Sequence, residues 1–172
     1  RASRSGVEWV IDPIDGTVNF FHGIPGCNVS VAAAVDGRVV AGAVVDPLHG
    51  DTFAAARGHG ATRNGRPIRG TEVTDPAHAL IGTGFAYDPV ERARQAEVLA
   101  GVLPRIRDIR RIGAAAIDLC WVACGRLDGY YERNLKIWDW AAGSLIASEA
   151  GAVVAAIGHR RLPDDLPAAT IV

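Results

Sequence analysis

Asp12 and Asp15 stand three residues apart in Trp9–Phe20, WVIDPIDGTVNF, directly behind an apolar run. Carboxylates at the end of a buried strand are costly to desolvate unless something pairs with them. Pro13 between them has a fixed φ and no N–H, so the segment must leave the strand ladder and turn. Such a turn can bring both carboxylates and the Ile14 carbonyl towards one point. Oxygen ligands with no His or Cys suit a hard cation, Mg²⁺ or Mn²⁺, better than zinc. Gly16 permits close backbone approach, and the N–H groups of Gly16 and Thr17, with the Thr17 hydroxyl, can hold a phosphate oxygen. The plain alternative is a strand-ending turn with Asx caps, because Asp, Pro and Gly are ordinary turn residues. A calcium loop of the EF-hand type needs Asp-x-Asp-x-Asp-Gly and a Glu at position 12, and neither is present.

A third carboxylate, Asp139, lies far downstream in Glu132–Ala152, ERNLKIWDWAAGSLIASEAGA, at the start of a predicted helix. Its simplest role is a cap stabilised by the helix dipole. A cap and a metal ligand are compatible, since capping fixes the direction of the carboxylate and a helix N-terminus also attracts phosphate. A rival chemistry is that of the haloacid-dehalogenase phosphatases, whose Asp-x-Asp-Gly-Thr places a nucleophilic aspartate one residue closer than Asp12 is to Asp15. That chemistry also needs a downstream lysine and an acidic Gly-Asp motif, whereas Lys136, the only lysine, stands in a different context.

These groups need a scaffold. Val7–Ile11, Asn28–Val35, Val39–Val45 and Asp51–Arg57 read as strands, with Asp36-Gly37 and Asn64-Gly65 as tight turns, so the first seventy residues are predicted to be antiparallel sheet. From Ala79 onward strands (Ala79–Gly84, Ile109–Ile112, Leu127–Tyr131) alternate with helices (Pro89 to about Leu103, Ala114–Cys124, Trp138–Ala150). The first helix opens with Asp88 as N-cap, Pro89 at N1 and Glu91 closing a capping box. The last stops at Gly151, and Val153–Ala156 and Thr170–Val172 read as terminal strands. Residues 1–78 are taken as the latter part of an α+β region carrying the metal motif, and 79–172 as an α/β region. The chain has 172 residues, 49% hydrophobic, with a formal charge of −1, which gives no reason to expect nucleic acid or an anionic membrane as partner. No apolar stretch approaches the ~20 residues of a membrane span. Cys27, Cys120 and Cys124 read as reduced thiols in a cytoplasmic setting. The five histidines follow no metal spacing; His22 reads as a loop histidine. Arg111, Arg126 and Arg133 near the second segment read as surface arginines.

Asp-Pro-Ile-Asp-Gly-Thr followed far downstream by Trp-Asp-x-Ala-Ala-Gly resembles the inositol monophosphatase family. AARGHGATRNGRPI at 55–68, IRRIGAAAIDLCWVACGRLDGYYE at 109–132 and SEAGA at 148–152 match as well. The resemblance implies a layered αβαβα sandwich, antiparallel and mixed sheets covered by helices, and a homodimer. It implies two or three Mg²⁺ ions, with Asp12, the Ile14 carbonyl, Asp15 and Asp139 as ligands and Asp12 and Asp15 each touching more than one ion. It implies Gly16 and Thr17 as the phosphate-binding pair, and Ala115 and Glu132 facing the substrate's hydroxyls. Asp12, Asp15 and Thr17 would be the catalytic residues, and Asp15 and Asp139 would also contact substrate. The implied activity is hydrolysis of a phosphate monoester, foremost myo-inositol monophosphate, by metal-activated water without a covalent intermediate, and with sensitivity to lithium. Histidinol phosphate, fructose 1,6-bisphosphate, nucleotide 3′-phosphates and a non-catalytic regulatory role are the alternatives. The family carries Gly-Glu-Glu upstream of the first motif, and one of those glutamates binds metal. Here Glu8 is the only glutamate before Asp12, the chain opens at Arg1 and it contains no methionine. The expectation is an N-terminally incomplete chain that lacks the family's N-terminal helical segment.

Overall fold

The computed structural model describes residues 5–155 and 170–171. β1 (Val7–Asp15) is followed at once by α1 (Thr17–His22). β2 (Asn28–Val35), β3 (Arg38–Asp46), β4 (Asp51–Ala56), β5 (Ala61–Arg63) and β6 (Arg66–Pro67) then complete a six-stranded antiparallel meander in chain order. Both two-residue turns close hairpins as expected. Asp36, Gly37, Asn64 and Gly65 all have positive φ, as a type I′ connection requires.

The second half builds a smaller sheet from β7 (Leu80–Thr83), α2 (Pro89–Val102), β8 (Asp108–Arg110), α3 (Ala115–Ala123), β9 (Gly129–Glu132), α4 (Ile137–Glu149) and β10 (Thr170–Ile171). Its order is β10-β9-β7-β8, with β7 parallel to both β8 and β9 and β10 antiparallel to β9.

The helix pair α3 and α4 lies between the two sheets. Both are apolar on nearly every face, the pattern of a helix buried on all sides. Leu119, Cys120, Ala141, Ala142 and Ile146 are fully buried, together with Val44 and Phe53 of the first sheet and Tyr130 of the second. Small residues let these elements close up. A side chain at Gly143 would stand 2.8 Å from Leu119 Cβ of α3, and one at Gly42 of β3 would stand 3.0 Å from Ala142 Cα of α4. On the far face of the second sheet, Gln95 and Val98 of α2 enclose a cavity of about 160 Å³ with Thr83 and Tyr131. The layers among the described residues are therefore sheet, helix pair, sheet and helix. None of these helices is long and apolar enough to cross a membrane.

Some local readings change. Val153 and Val154 form no strand; only Ala155 makes an isolated bridge, and Ala156 and Val172 lie outside the described residues. Asp88 caps α2 by accepting from the Val90 and Glu91 N–H groups, but Glu91 pairs with Arg94 in place of closing the box. The stop at Gly151 is a Schellman turn: its N–H donates to Ser148 and that of Ala152 to Ala147. The three cysteines are free, with Cys120 buried.

Candidate functional site

Residues three apart on a regular strand point to opposite faces. β1 escapes this at Pro13. Asp12 pairs with Ser30 of β2 while Asp15 pairs with Asn28, so three steps on β1 oppose two on β2. One extra residue is a β-bulge, and Pro13, which has no N–H to give the ladder, lies within it. The bulge reverses the parity and lets both carboxylates reach one side. The Ile14 N–H donates to Asp12 Oδ1 at 3.0 Å, an Asx turn that orients this carboxylate. Asp15 Oδ2 accepts from Asn28 Nδ2 at 2.8 Å and from the Ala116 N–H at 2.9 Å, which ties β1 to the first turn of α3.

Gly16 follows with φ +80° and forms the left-handed N-cap of α1. Any Cβ there would fall inside contact distance of the Gly26 carbonyl. The Asn19 amide clamps that loop, donating to the Gly26 carbonyl at 2.8 Å and to Ile112 O at 2.9 Å. Thr17 opens α1, so its N–H has no acceptor within the helix. Gly16→Ala is expected to destabilise the protein by at least about 1–2 kcal/mol from the left-handed backbone alone, with the steric conflict added, as measured by urea unfolding.

Asp139 comes from the other half of the chain. It occupies the third position of α4 and not the N-cap, which is Lys136; its carboxylate accepts from the Lys136 N–H at 2.6 Å. Ser30 Oγ donates to the Trp138 carbonyl at 3.3 Å and joins the helix start to β2. Asp12, Asp15 and Asp139 each present an oxygen within 4.8 Å of the other two. Burial raises Asp15 to about 6; the amide of Asn28 and the N–H of Ala116 pull it down, and the charges of Asp12 and Asp139 push it up again. Burial also raises Asp139, against the pull of the Lys136 N–H. Three converging, partly desolvated oxygen donors, of which Asp139 has the Lys136 charge beside it, suit a hard divalent cation.

The cluster forms one wall of a cleft of about 780 Å³. Every candidate residue lines it: Asp12, Ile14, Asp15, Gly16, Thr17, Ala115, Glu132 and Asp139. Ala115 is the first residue of α3 and Glu132 ends β9. Arg111, Arg133 and Lys136 also line the cleft, so two of the arginines read as surface residues face the site, whereas Arg126 is held at 3.1 Å from Asp51 in a separate cluster with Arg63. Glu8 is exposed on β1 and stands outside the carboxylate cluster. His22 is exposed at the end of α1, edge-on to Phe21, and does not line the cleft. Asn28 and Tyr130 were missed in the sequence because each looks like a strand residue; Tyr130 donates its hydroxyl hydrogen to Glu132 Oε2. Burial raises Glu132, while this hydrogen bond and the charge of Arg111 favour its ionised form.

Comparison with known proteins bears on this arrangement. The profile of the inositol monophosphatase family matches residues 1–172. An inositol-1-monophosphatase of Mycobacterium leprae is 57% identical over 152 residues, covering 86% of this chain and 52% of the relative. A protein of Pasteurella multocida called Nus factor SuhB is 44% identical over 151 residues, covering 87% and 57%. The solved structure of Mycobacterium tuberculosis SuhB superposes with a TM-score of 0.83 at 54% identity, covering 86% of this chain and 62% of that one. The chain spans about half the length of the curated relatives it matches.

Proposed function

The chain belongs to the inositol monophosphatase family, and from that premise we propose that the protein hydrolyses a phosphate monoester with Mg²⁺, foremost myo-inositol monophosphate. The convergence of Asp12, Asp15 and Asp139 within 4.8 Å carries the reading. Asp12, the Ile14 carbonyl, Asp15 and Asp139 hold two or three Mg²⁺ ions, with Mn²⁺ as a substitute. When bound, the ions neutralise phosphate charge and lower the pKa of water. Asp12 stays a ligand, held in place by the Ile14 N–H. The N–H groups of Gly16 and Thr17 take the phosphate oxygens, and the Thr17 hydroxyl aligns the attacking water or steadies the phosphate. Ala115 and Glu132 face the hydroxyls of the alcohol half. Arg111, Arg133 and Lys136 raise the local concentration of an anionic ester at the mouth of the cleft.

The test is a panel of phosphate monoesters with the full-length protein, with and without Mg²⁺ and Li⁺. Turnover that needs Mg²⁺, falls with Li⁺ and is fastest on inositol monophosphate is the expected result. A phosphorylated Asp12 trapped during turnover would overturn the mechanism in favour of aspartyl-phosphate chemistry. One relative's name, Nus factor SuhB, supports a second reading: a regulatory role that does not use catalysis. On that reading no ester of the panel is hydrolysed.

A further inference from the structure

We propose that Tyr130 and Gly84 are positioning residues that hold the Glu132 carboxylate towards the alcohol half of the substrate, and so set a preference for polyol phosphates over simple phosphate esters. This rests on the reading of Glu132 as the carboxylate that faces the substrate's hydroxyls. Gly82 lies in β7 and Gly84 directly follows its last residue, Thr83, so the two glycines, two residues apart, face the same side. In the parallel pairing of β7 with β9, Gly82 stands beside Tyr130 and Thr83 beside Tyr131, which brings Gly84 to Glu132. A Cβ at Gly84 would fall inside the Glu132 carboxylate, so that group occupies a space that only glycine leaves free. One step back, a Cβ at Gly82 would stand 3.1 Å from Tyr130 Cδ2 and 2.9 Å from Leu127 Cδ1. The glycine pair is thus a groove in which the Tyr130 ring and the Glu132 carboxylate lie one behind the other.

Tyr130 is 1% exposed, and its hydroxyl hydrogen goes to Glu132 Oε2 on the same side of the strand. A buried ring of this size has no alternative position, so the hydroxyl is a fixed point. Glu132 does have a competitor: the charge of Arg111, on the cleft rim, also acts on it. The tyrosine decides between the two by donating to the carboxylate from the buried side, leaving Oε1 for the ligand. A carboxylate held in this way meets a polyol without first losing rotamer freedom.

The experiment is a double-mutant cycle in the full-length Mg²⁺-loaded protein, with myo-inositol 1-phosphate and with p-nitrophenyl phosphate, which has no hydroxyl groups on its alcohol half. Tyr130→Phe keeps the ring and removes the donor. It is expected to raise KM for inositol 1-phosphate roughly tenfold, the worth of a hydrogen bond to a charged group, and to leave p-nitrophenyl phosphate turnover within about twofold. In a Glu132→Ala background the same change is expected to add nothing. Gly84→Ala is expected to reproduce the selective loss, and a crystal structure of Tyr130→Phe to show the carboxylate moved away from Gly84. Equal losses on both esters, additive effects of Tyr130→Phe and Glu132→Ala, or a carboxylate that stays in place each overturn the proposal. If Glu132→Ala leaves the preference between the esters unchanged, the reading of Glu132 fails and the proposal falls with it. If Glu132→Ala removes the preference and Tyr130→Phe does not, only the positioning role fails. If the unsubstituted protein hydrolyses neither ester, the phosphatase reading fails, and the position of Glu132 in the Tyr130→Phe crystal alone decides whether the socket exists.

Discussion

Replacing Asp139 by Asn in the full-length protein is expected to lower kcat/KM for Mg²⁺-dependent ester hydrolysis by on the order of a thousandfold or more, well beyond the roughly 10–100-fold cost of losing an outer partner of a metal ligand. The fold should survive. The bond that Asp139 makes within the protein is the one accepted from the Lys136 N–H at 2.6 Å, and the carboxamide oxygen of Asn can accept it equally well. What Asn cannot supply is the third negative charge on the cluster. Steady-state kinetics over a range of Mg²⁺ concentrations, with circular dichroism as the control on folding, checks this. Undiminished turnover in a well-folded Asp139→Asn protein sinks the assignment of this residue as a ligand. A protein that performs its cellular role unaltered with this substitution supports the regulatory reading.

The second large effect couples function to stability through Asp15. Its folded pKa of about 6 lies above the 3.8 of a free aspartate. A group raised in this way costs the folded state nothing below about pH 4, where it is protonated folded and unfolded alike. Stability falls as pH rises from about 4 to about 6, where the unfolded chain ionises and the buried carboxyl does not; once the folded group ionises as well, the loss is complete. The rise from 3.8 to about 6 corresponds to a loss on the order of 3 kcal/mol in the metal-free protein. Asp15→Asn removes the titration, and its carboxamide oxygen can still accept from Asn28 and Ala116. The metal-free variant is therefore expected to be more stable than the metal-free wild type at pH 7, and equal to it near pH 4. It is also expected to lose catalysis and the stabilisation that Mg²⁺ gives the wild type by mass action. Urea unfolding at the two pH values, with and without Mg²⁺, measures all of this. Equal stabilities at pH 7 would mean that Asp15 carries no buried charge.

Much of this arrangement can be read in the chain itself. The Asp36-Gly37 and Asn64-Gly65 turns announce their hairpins because few other residue pairs tolerate two positive φ values. The apolar runs of α3 and α4 announce helices buried on all sides. The eight candidate residues share a cleft because their motifs sit where strands end and helices begin. What stayed hidden is relational. Pro13 announces a break in the ladder, but that the break is a bulge within β1, with pairing resumed at Asp15, depends on how β1 registers against β2. α1 was missed because six residues starting from a left-handed glycine carry too little periodicity to be seen. Asp139 reads as the cap in the sequence and stands at the third helical position in the structure, since a cap and a third-position carboxylate bind the same kind of N–H. Arg111 and Arg133 looked like surface groups because a cleft mouth is also surface; only the third dimension separates them from Arg126, which is drawn to Asp51.

The ties that assemble the cluster span long stretches of chain: Asp15 meets Ala116 across 101 residues, and Ser30 meets Trp138 across 108. Loop closure of that length costs entropy before any contact repays it, so such pairings form late on a folding route. The first carboxylates leave the ribosome early, but they have no third partner until α4 has been synthesised and packed. A cation bound here would therefore belong to the finished protein and not to its nucleus: it would lengthen the life of the native state and leave the speed of reaching it nearly unchanged.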